Sequence, residues 1–368
     1  MDRVARLFDT PFHNPSMYAV RAGLATDRDL VDFCVPANGY FPPPAMLQAI
    51  KDNLAEILKY YPDYSLVHQE NISRWVGTPA ENIVPANGVT ELITSMCALA
   101  EGPIATDVPT FGRWTDLPIQ QGVPLHCIAR RKESDFRLSV DEITTAVEAA
   151  GARTLIICNP NNPTGAWLDF NEVEQLIERL SDLALIVVDE SFIEFSGLES
   201  AERLAMASRN TVVVKSMGKA FGWHGVRLGY GVGNLAMADA LRARLPYWNV
   251  NGVAGFVLKH ALEYRDEYVS SFEKVAQDRE YMFDRLSSID RLRTYPSKAN
   301  FLLSELPAGV SGKEVRNILL RDHALLVREC SNKLGSSEQF LRNVVRKKPE
   351  VDRLAVALRD VLRGHQGA

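Results

Sequence analysis

A nucleophile, a set of turn-forming residues and a fixed cation fall within one short run, Lys215-Ser-Met-Gly-Lys219-Ala-Phe-Gly222-Trp-His-Gly225-Val-Arg227-Leu-Gly229-Tyr230. A lysine amine attacks a carbonyl usefully only where its surroundings lower its pKa. Gly222, Gly225 and Gly229 permit backbone turns that a side chain would block. Arg227 supplies a permanently charged fork suited to phosphate. Taken alone, the run also fits an exposed lysine in a glycine-containing loop. The chemistry therefore has to be sought in what surrounds it.

Three further segments carry residue types that would complement such a lysine. Asn159-Pro-Asn-Asn162-Pro163-Thr164-Gly165 follows the apolar run Thr154-Leu-Ile-Ile-Cys158, and Asn162 could donate to a ring hydroxyl. Asp189 ends the apolar run Leu183-Ala-Leu-Ile-Val-Val188, as a helix cap or as the partner of a buried positive charge. A protonated pyridine nitrogen is such a charge, and a carboxylate beside it keeps the ring an electron sink. Asn87-Gly88-Val89-Thr90-Glu91 reads as a turn into a helix, whose free N–H groups suit a phosphate.

The elements that must hold these groups follow from pattern. Thr211-Val-Val-Val214, Thr154–Cys158 and Leu183–Val188 read as buried parallel strands, and open α/β sheets bind ligands outside the carboxyl ends of their strands. Met46, Leu47, Ile50, Leu54, Ile57 and Leu58 share one face of a helix that Tyr61-Pro62-Asp63 breaks. Strands and amphipathic segments alternate to about residue 260, which implies a mostly parallel sheet covered by helices. Asn300–Leu303, Ala324–Val327 and Phe340–Val345 read as strands of a second block, closed by a helix with Leu354, Leu358, Val361 and Leu362. The expected division is a large domain over 46–260 and a discontinuous small α+β domain made of 1–45 and 261–368.

In order and in spacing, the four segments resemble the class I and II aminotransferases of the pyridoxal 5'-phosphate fold-type-I group, across essentially the whole chain. The resemblance implies the aspartate aminotransferase fold. It implies that Lys219 carries pyridoxal 5'-phosphate as a Schiff base, that Asp189 pairs with the pyridine nitrogen and that Asn162 contacts the 3'-hydroxyl. Arg227, Ser216, Val89 and Thr90 would hold the phosphate, and Phe111 would stack on the ring. Tyr61 would reach the cofactor of a neighbouring subunit, in a homodimer with shared active sites. Arg342, in Phe340-Leu-Arg342-Asn-Val-Val345, would take the substrate α-carboxylate, with Asn38 from the N-terminal segment also at the substrate.

Within the family the pattern is most similar to histidinol-phosphate aminotransferases and threonine-phosphate decarboxylases. Val327-Arg328-Glu-Cys330 matches a segment whose arginine binds a substrate phosphate. Arg346 resembles a second arginine that the decarboxylases place after the strand of Arg342, and His13 falls near a histidine that they use against phosphate. Phe192 replaces a tyrosine that most relatives place against the cofactor's 3'-oxygen, and His224 stands where small apolar residues are common. The expected activity is amino transfer from an amino acid, phosphorylated or plain, to a 2-oxo acid. The alternative is decarboxylation of an amino-acid O-phosphate, and a cyclase or eliminase using the same cofactor stays open. A module that keeps the fold without the chemistry is disfavoured by the joint presence of Lys219, Asp189, Asn162 and Arg227.

The 368 residues, 46% hydrophobic and 24% charged, suffice for a large core. A formal net charge of -5 and the lack of a basic tract argue against nucleic acid as a partner. The five cysteines are scattered without paired spacing, which points to free thiols in a reducing cytoplasm, and the histidines show no metal-ligand spacing. No apolar run approaches the length that crosses a membrane.

Overall fold

The computed structural model describes residues 4–8, 15–24 and 29–364. Its centre is a seven-stranded sheet with the order Ile83–Ala86, Gly229–Val232, Thr211–Lys215, Leu185–Asp189, Thr154–Cys158, Ile104–Val108 and Leu125–Ala129. The last five are mutually parallel. Gly229–Val232 runs antiparallel to both of its neighbours. Six of these strands are wholly buried, all but Leu125–Ala129, because helices cover the sheet on each side. Parallel pairing also brings Cys158, Asp189 and Lys215 out at one common edge.

A second sheet of four strands lies in the C-terminal part, in the order Arg328–Glu329, Phe340–Val344, Phe301–Glu305 and Arg293–Thr294. The expected strand over 324–327 forms at Leu325–Leu326, and a separate short strand follows it in another sheet. Leu325–Leu326 pairs in parallel with Val31–Asp32, whereas Arg328–Glu329 pairs antiparallel with Phe340–Val344. The turn at Val327 thereby ties the N-terminal segment to the C-terminal sheet. Among the described residues, no helix is long and apolar enough to cross a membrane.

Two helices depart from a simple amphipathic reading. Pro44–Lys59 buries only Met46, leaving Leu47, Leu54 and Leu58 exposed. Arg265–Ser287 buries Ser271, Asp278 and Arg279 beside Val275, Met282 and Leu286. Those polar groups are satisfied: Tyr40 donates its hydroxyl to Asp278 at 2.6 Å, and Arg279 donates to the carbonyls of Phe195 and Ala299. A buried polar group so paired can occupy a core position without the desolvation penalty of an unpaired one.

One buried ion pair positions the loop after Cys158. Arg130 Nε donates to Asp107 Oδ2 at 2.6 Å with both side chains out of solvent, and Arg130 Nη1 donates to Phe136 O. The same carboxylate oxygen accepts from Asn161 Nδ2 at 2.6 Å. Removing one partner strands a charge in the interior, so Arg130→Ala should cost about 3–5 kcal/mol. Urea unfolding followed by circular dichroism measures it, and a loss under about 1 kcal/mol would show the pair to be dispensable.

Candidate active site

At the strand-end edge, Asp189 is 3% exposed and fully engaged. Its Oδ2 accepts the indole N–H of Trp114 at 2.7 Å, and its Oδ1 accepts the Ser191 backbone N–H at 3.0 Å. Lys219 follows the strand Thr211–Lys215 on the short helix Met217–Ala220 and lines the same cavity as Asp189, Phe111, Asn162 and Phe192. Its ammonium lies 4.9 Å from the centre of the Phe192 ring. Burial lowers its pKa, Asp189 opposes that shift, and the positive Arg227 and Arg342 add to it. A lysine so placed holds a larger fraction of the free-base form that can attack a carbonyl.

The preceding segments converge on it. Gly88, at φ +83°, caps the helix Val89–Leu99 without a side chain over its free N–H groups. A Cβ at Gly88 would lie 2.5 Å from Arg227 Nη2, and one at Gly229 would lie 3.0 Å from the Val89 nitrogen. Only glycine lets the guanidinium and the helix terminus share one concavity. Glu91 is occupied elsewhere, accepting from the Asn87 N–H at 2.8 Å and from Asn249 at 2.9 Å.

Three asparagines of the 159–165 loop have separate tasks. Asn159 exchanges two hydrogen bonds with Leu168, and Asn161 joins Asp107 to the Thr164 backbone and hydroxyl. Asn162 accepts from Arg342 Nη1 at 2.7 Å, which turns its amide NH2 away from the guanidinium. Arg342 also donates to Cys34 O at 2.6 Å, while its buried Nε has no partner.

The main cavity, about 520 Å3, gathers Val89, Thr90, Phe111, Asn162, Ser216 and Lys219 with Arg227, Arg328 and Arg342. Asp189 borders it through the adjoining pocket behind Lys219. Other expected contacts lie elsewhere. Asn38 is outside the cavity wall: its amide donates to Ala220 O and Ser271 Oγ, and its oxygen accepts from Tyr40 N. Arg346 gives its donors to the Asp32 and Val35 carbonyls, so it braces the N-terminal segment beside the cavity. Tyr61 is 81% exposed and stacks on Trp248 at 4.9 Å. His13 lies outside the described residues.

Trp114, Lys333, Asn332 and Asp116 belong to the site without having stood out in the sequence. Trp114 follows Phe111 by about one helical turn, the only local hint. Lys333 and Asn332 lie in a loop that has no periodicity to mark them. His224 does line the cavity, with a ring N–H directed at the Pro36 carbonyl and a buried Nε2 that has no partner.

An amine donor at the edge of a parallel sheet, a caged strand-end carboxylate and an arginine at a helix terminus together define a fold-type-I pyridoxal-phosphate enzyme. The family model for aminotransferase class I and II matches residues 28–358, and the chain belongs to that family. It is 27% identical to the L-serine phosphate decarboxylase of Sulfurospirillum multivorans over 370 residues, 95% of this chain and 93% of that one. It is 32% identical to the histidinol-phosphate aminotransferase of Pyrococcus furiosus over 323 residues, 87% of this chain and 89% of that one. A third relative, the CMP-5'-(3-aminopropyl)phosphonate synthase of Streptomyces rubellomurinus, is 28% identical over 343 residues, 92% of this chain but only 54% of its own length. Among solved structures, a decarboxylase from Sulfurospirillum multivorans superposes with a TM-score of 0.89 at 26% identity, covering 98% of this chain and 95% of that one. The family depends on pyridoxal 5'-phosphate, and a histidinol-phosphate aminotransferase structure from Sinorhizobium meliloti contains it. The donor set here fits that group: a glycine-lined helix terminus with Arg227, a carboxylate, an amide and an amine.

His224 yields a pH test. Burial, and then the Lys219 charge, lowers its pKa from 6.5 to about 4. As pH falls, the unfolded chain takes up this proton first, so the contribution to stability is full above about 6.5 and declines toward 4. Urea midpoints at pH 7.5 and 4.5 should fall less for His224→Asn than for the wild type. An unchanged difference would place the imidazole in solvent.

Proposed function

We propose that this enzyme acts on an amino acid bearing a second, phosphate-like anion, and that it removes the α-carboxyl group. The cavity's charge carries the substrate reading: Lys219, Arg227, Arg328, Lys333 and Arg342 line it against a single carboxylate, Asp116. Arg328 and Arg342 are directly opposite in the antiparallel pair. Like charges so placed are destabilising, and a bound anion relieves them. Decarboxylation is supported by the near full-length likeness to the serine phosphate decarboxylase. Amino transfer, the expectation from sequence, is the second reading, supported by the Pyrococcus relative.

When bound, pyridoxal phosphate withdraws electrons from a bond at the substrate Cα. Lys219 holds the cofactor and then, as a low-pKa amine, supplies or removes a proton at that carbon. Asp189 keeps the ring nitrogen protonated, held in place by Trp114 and Ser191. Arg227, Ser216 and the N–H groups at Val89 and Thr90 take the phosphate, and Phe111 covers the ring. Asn162 donates at the 3'-oxygen, where Phe192 offers no hydroxyl. Arg342 takes one substrate anion and Arg328 the other.

The same proposal covers the assembly and the setting. The chain is read as a large unit over 46–260 with a small one built from its two flanks. The exposed Leu47, Leu54, Leu58 and Tyr61 support a homodimer in which Tyr61 serves the neighbouring site. Free thiols at the described cysteines suit a cytoplasmic protein.

Three measurements test this reading. Borohydride should fix the cofactor to the peptide containing Lys219, and label on Lys215 instead would refute the assignment. Mass spectrometry of products from phosphorylated and plain amino acids should show loss of carbon dioxide from the phosphorylated ones; gain of an oxo group would favour transfer. Arg328→Ala should raise KM for a phosphorylated substrate about 10- to 100-fold, as expected when a charged hydrogen bond is lost, and leave a neutral analogue within about threefold. Equal effects on both would remove the second anion from the proposal.

A further inference from the structure

Lys333 has no task in the scheme above, yet it sits in the cavity wall with Arg328 and Arg342. It lies beyond the strand Arg328–Glu329, in a loop pressed against the end of the strand Ile104–Val108. Gly335, at φ +76°, makes that approach possible, since a Cβ there would lie 2.9 Å from Val108 Cγ2. Lys333 is 8% exposed. Its ammonium donates to Thr110 O at 2.9 Å and lies 5.8 Å from the centre of the Phe111 ring.

No carboxylate among the described residues forms an ion pair with it; its charged neighbours are arginines. Burial, followed by Arg342, lowers its pKa to about 7. Burying an ammonium without an acidic partner is costly. The fold bears that cost at a position facing the substrate space.

The cations can be assigned in turn. Arg227 stands at the helix terminus suited to the cofactor phosphate, and Arg342 is tied to Asn162 beside the ring. Arg328 and Lys333 are left, two cations for one distal group. Arg328 Nη2 is steadied by Asn332 at 2.7 Å, the residue next to Lys333, so one loop arranges both. A carboxylate carries one charge and a phosphoryl or phosphono group carries up to two.

We propose that Lys333 determines specificity at the distal subsite, pairing with Arg328 to select a doubly charged phosphoryl or phosphono group over a singly charged carboxylate. This rests on the reading that the substrate carries a distal anion. Lys333 would otherwise serve only to hold Thr110 O and so seat Phe111, and the test separates the two roles.

The cofactor-loaded enzyme is titrated by calorimetry with 3-phosphoglycerate and with malate. Both lack an amine and cannot react, and they differ in the distal group. Wild type should bind 3-phosphoglycerate more tightly. Lys333→Met should weaken that ligand about 10- to 100-fold, the scale of a lost charged hydrogen bond, while malate changes less than about threefold. Lys333→Gln keeps a donor for Thr110 O without the charge and should lose as much as Lys333→Met. Lys333→Arg should retain the preference. Recovery by Lys333→Gln, or equal weakening of both ligands in Lys333→Met, would overturn the proposal in favour of a purely structural lysine. A wild-type enzyme that prefers malate would instead remove the phosphate-like substrate, and this inference with it.

Discussion

An amine next to a carboxylate ordinarily becomes an ion pair, and an ion pair is a poor nucleophile. This site depends on preventing that between Lys219 and Asp189. Trp114 and the Ser191 backbone occupy both oxygens of Asp189, which keeps the carboxylate fixed. Lys219 lies instead over the face of Phe192, among positive neighbours that favour its neutral form. The cavity can therefore hold a free amine and a carboxylate within one small volume without their closing into an ion pair.

Positioning is delegated to buried polar groups more than to apolar packing. Asp107 joins Arg130 to Asn161, Asn161 sets the loop, and the loop presents Asn162 to Arg342. Arg342 and Arg346 then hold three carbonyls of the segment around Asp32 to Val35. Each link is directional, so the small C-terminal sheet and the large parallel one meet at a defined offset. Apolar contact alone would tolerate sliding.

Much of this was legible in the chain. Lys219, Asp189 and Asn162 stand at or within a few residues of the ends of apolar runs, and such runs mark buried strands whose carboxyl ends form a site. What escaped has physical reasons. The helix Arg265–Ser287 buries serine, aspartate and arginine on its inner side, which erases the apolar stripe that would have announced it. The separate strand Arg328–Glu329 is invisible because two charged residues carry no apolar pattern to mark it. Asn38 and Arg346 carry the right chemistry for a substrate, but backbone carbonyls and the Ser271 hydroxyl claim it, and such claims arise only from tertiary contact. Lys333 and Trp114 were missed for the converse reason: each gains its meaning from a partner far away in sequence or across the sheet.

The register of the C-terminal sheet has a consequence for which molecules fit. Arg328 and Arg342 stand on neighbouring strands at matched positions, and strands in any sheet lie about 4.8 Å apart. Under the proposed reading, backbone hydrogen bonding thus sets the spacing of the two positions from which the substrate's anions are held. Exchanging one side chain for another of the same charge alters the reach only within the length of that side chain, so a larger change in substrate length asks for a new position. The guanidinium would have to move to a different rung of the ladder, which also inverts the face it points to when the step is a single residue. Under that reading the sheet sets the coarse spacing and the side chains tune it.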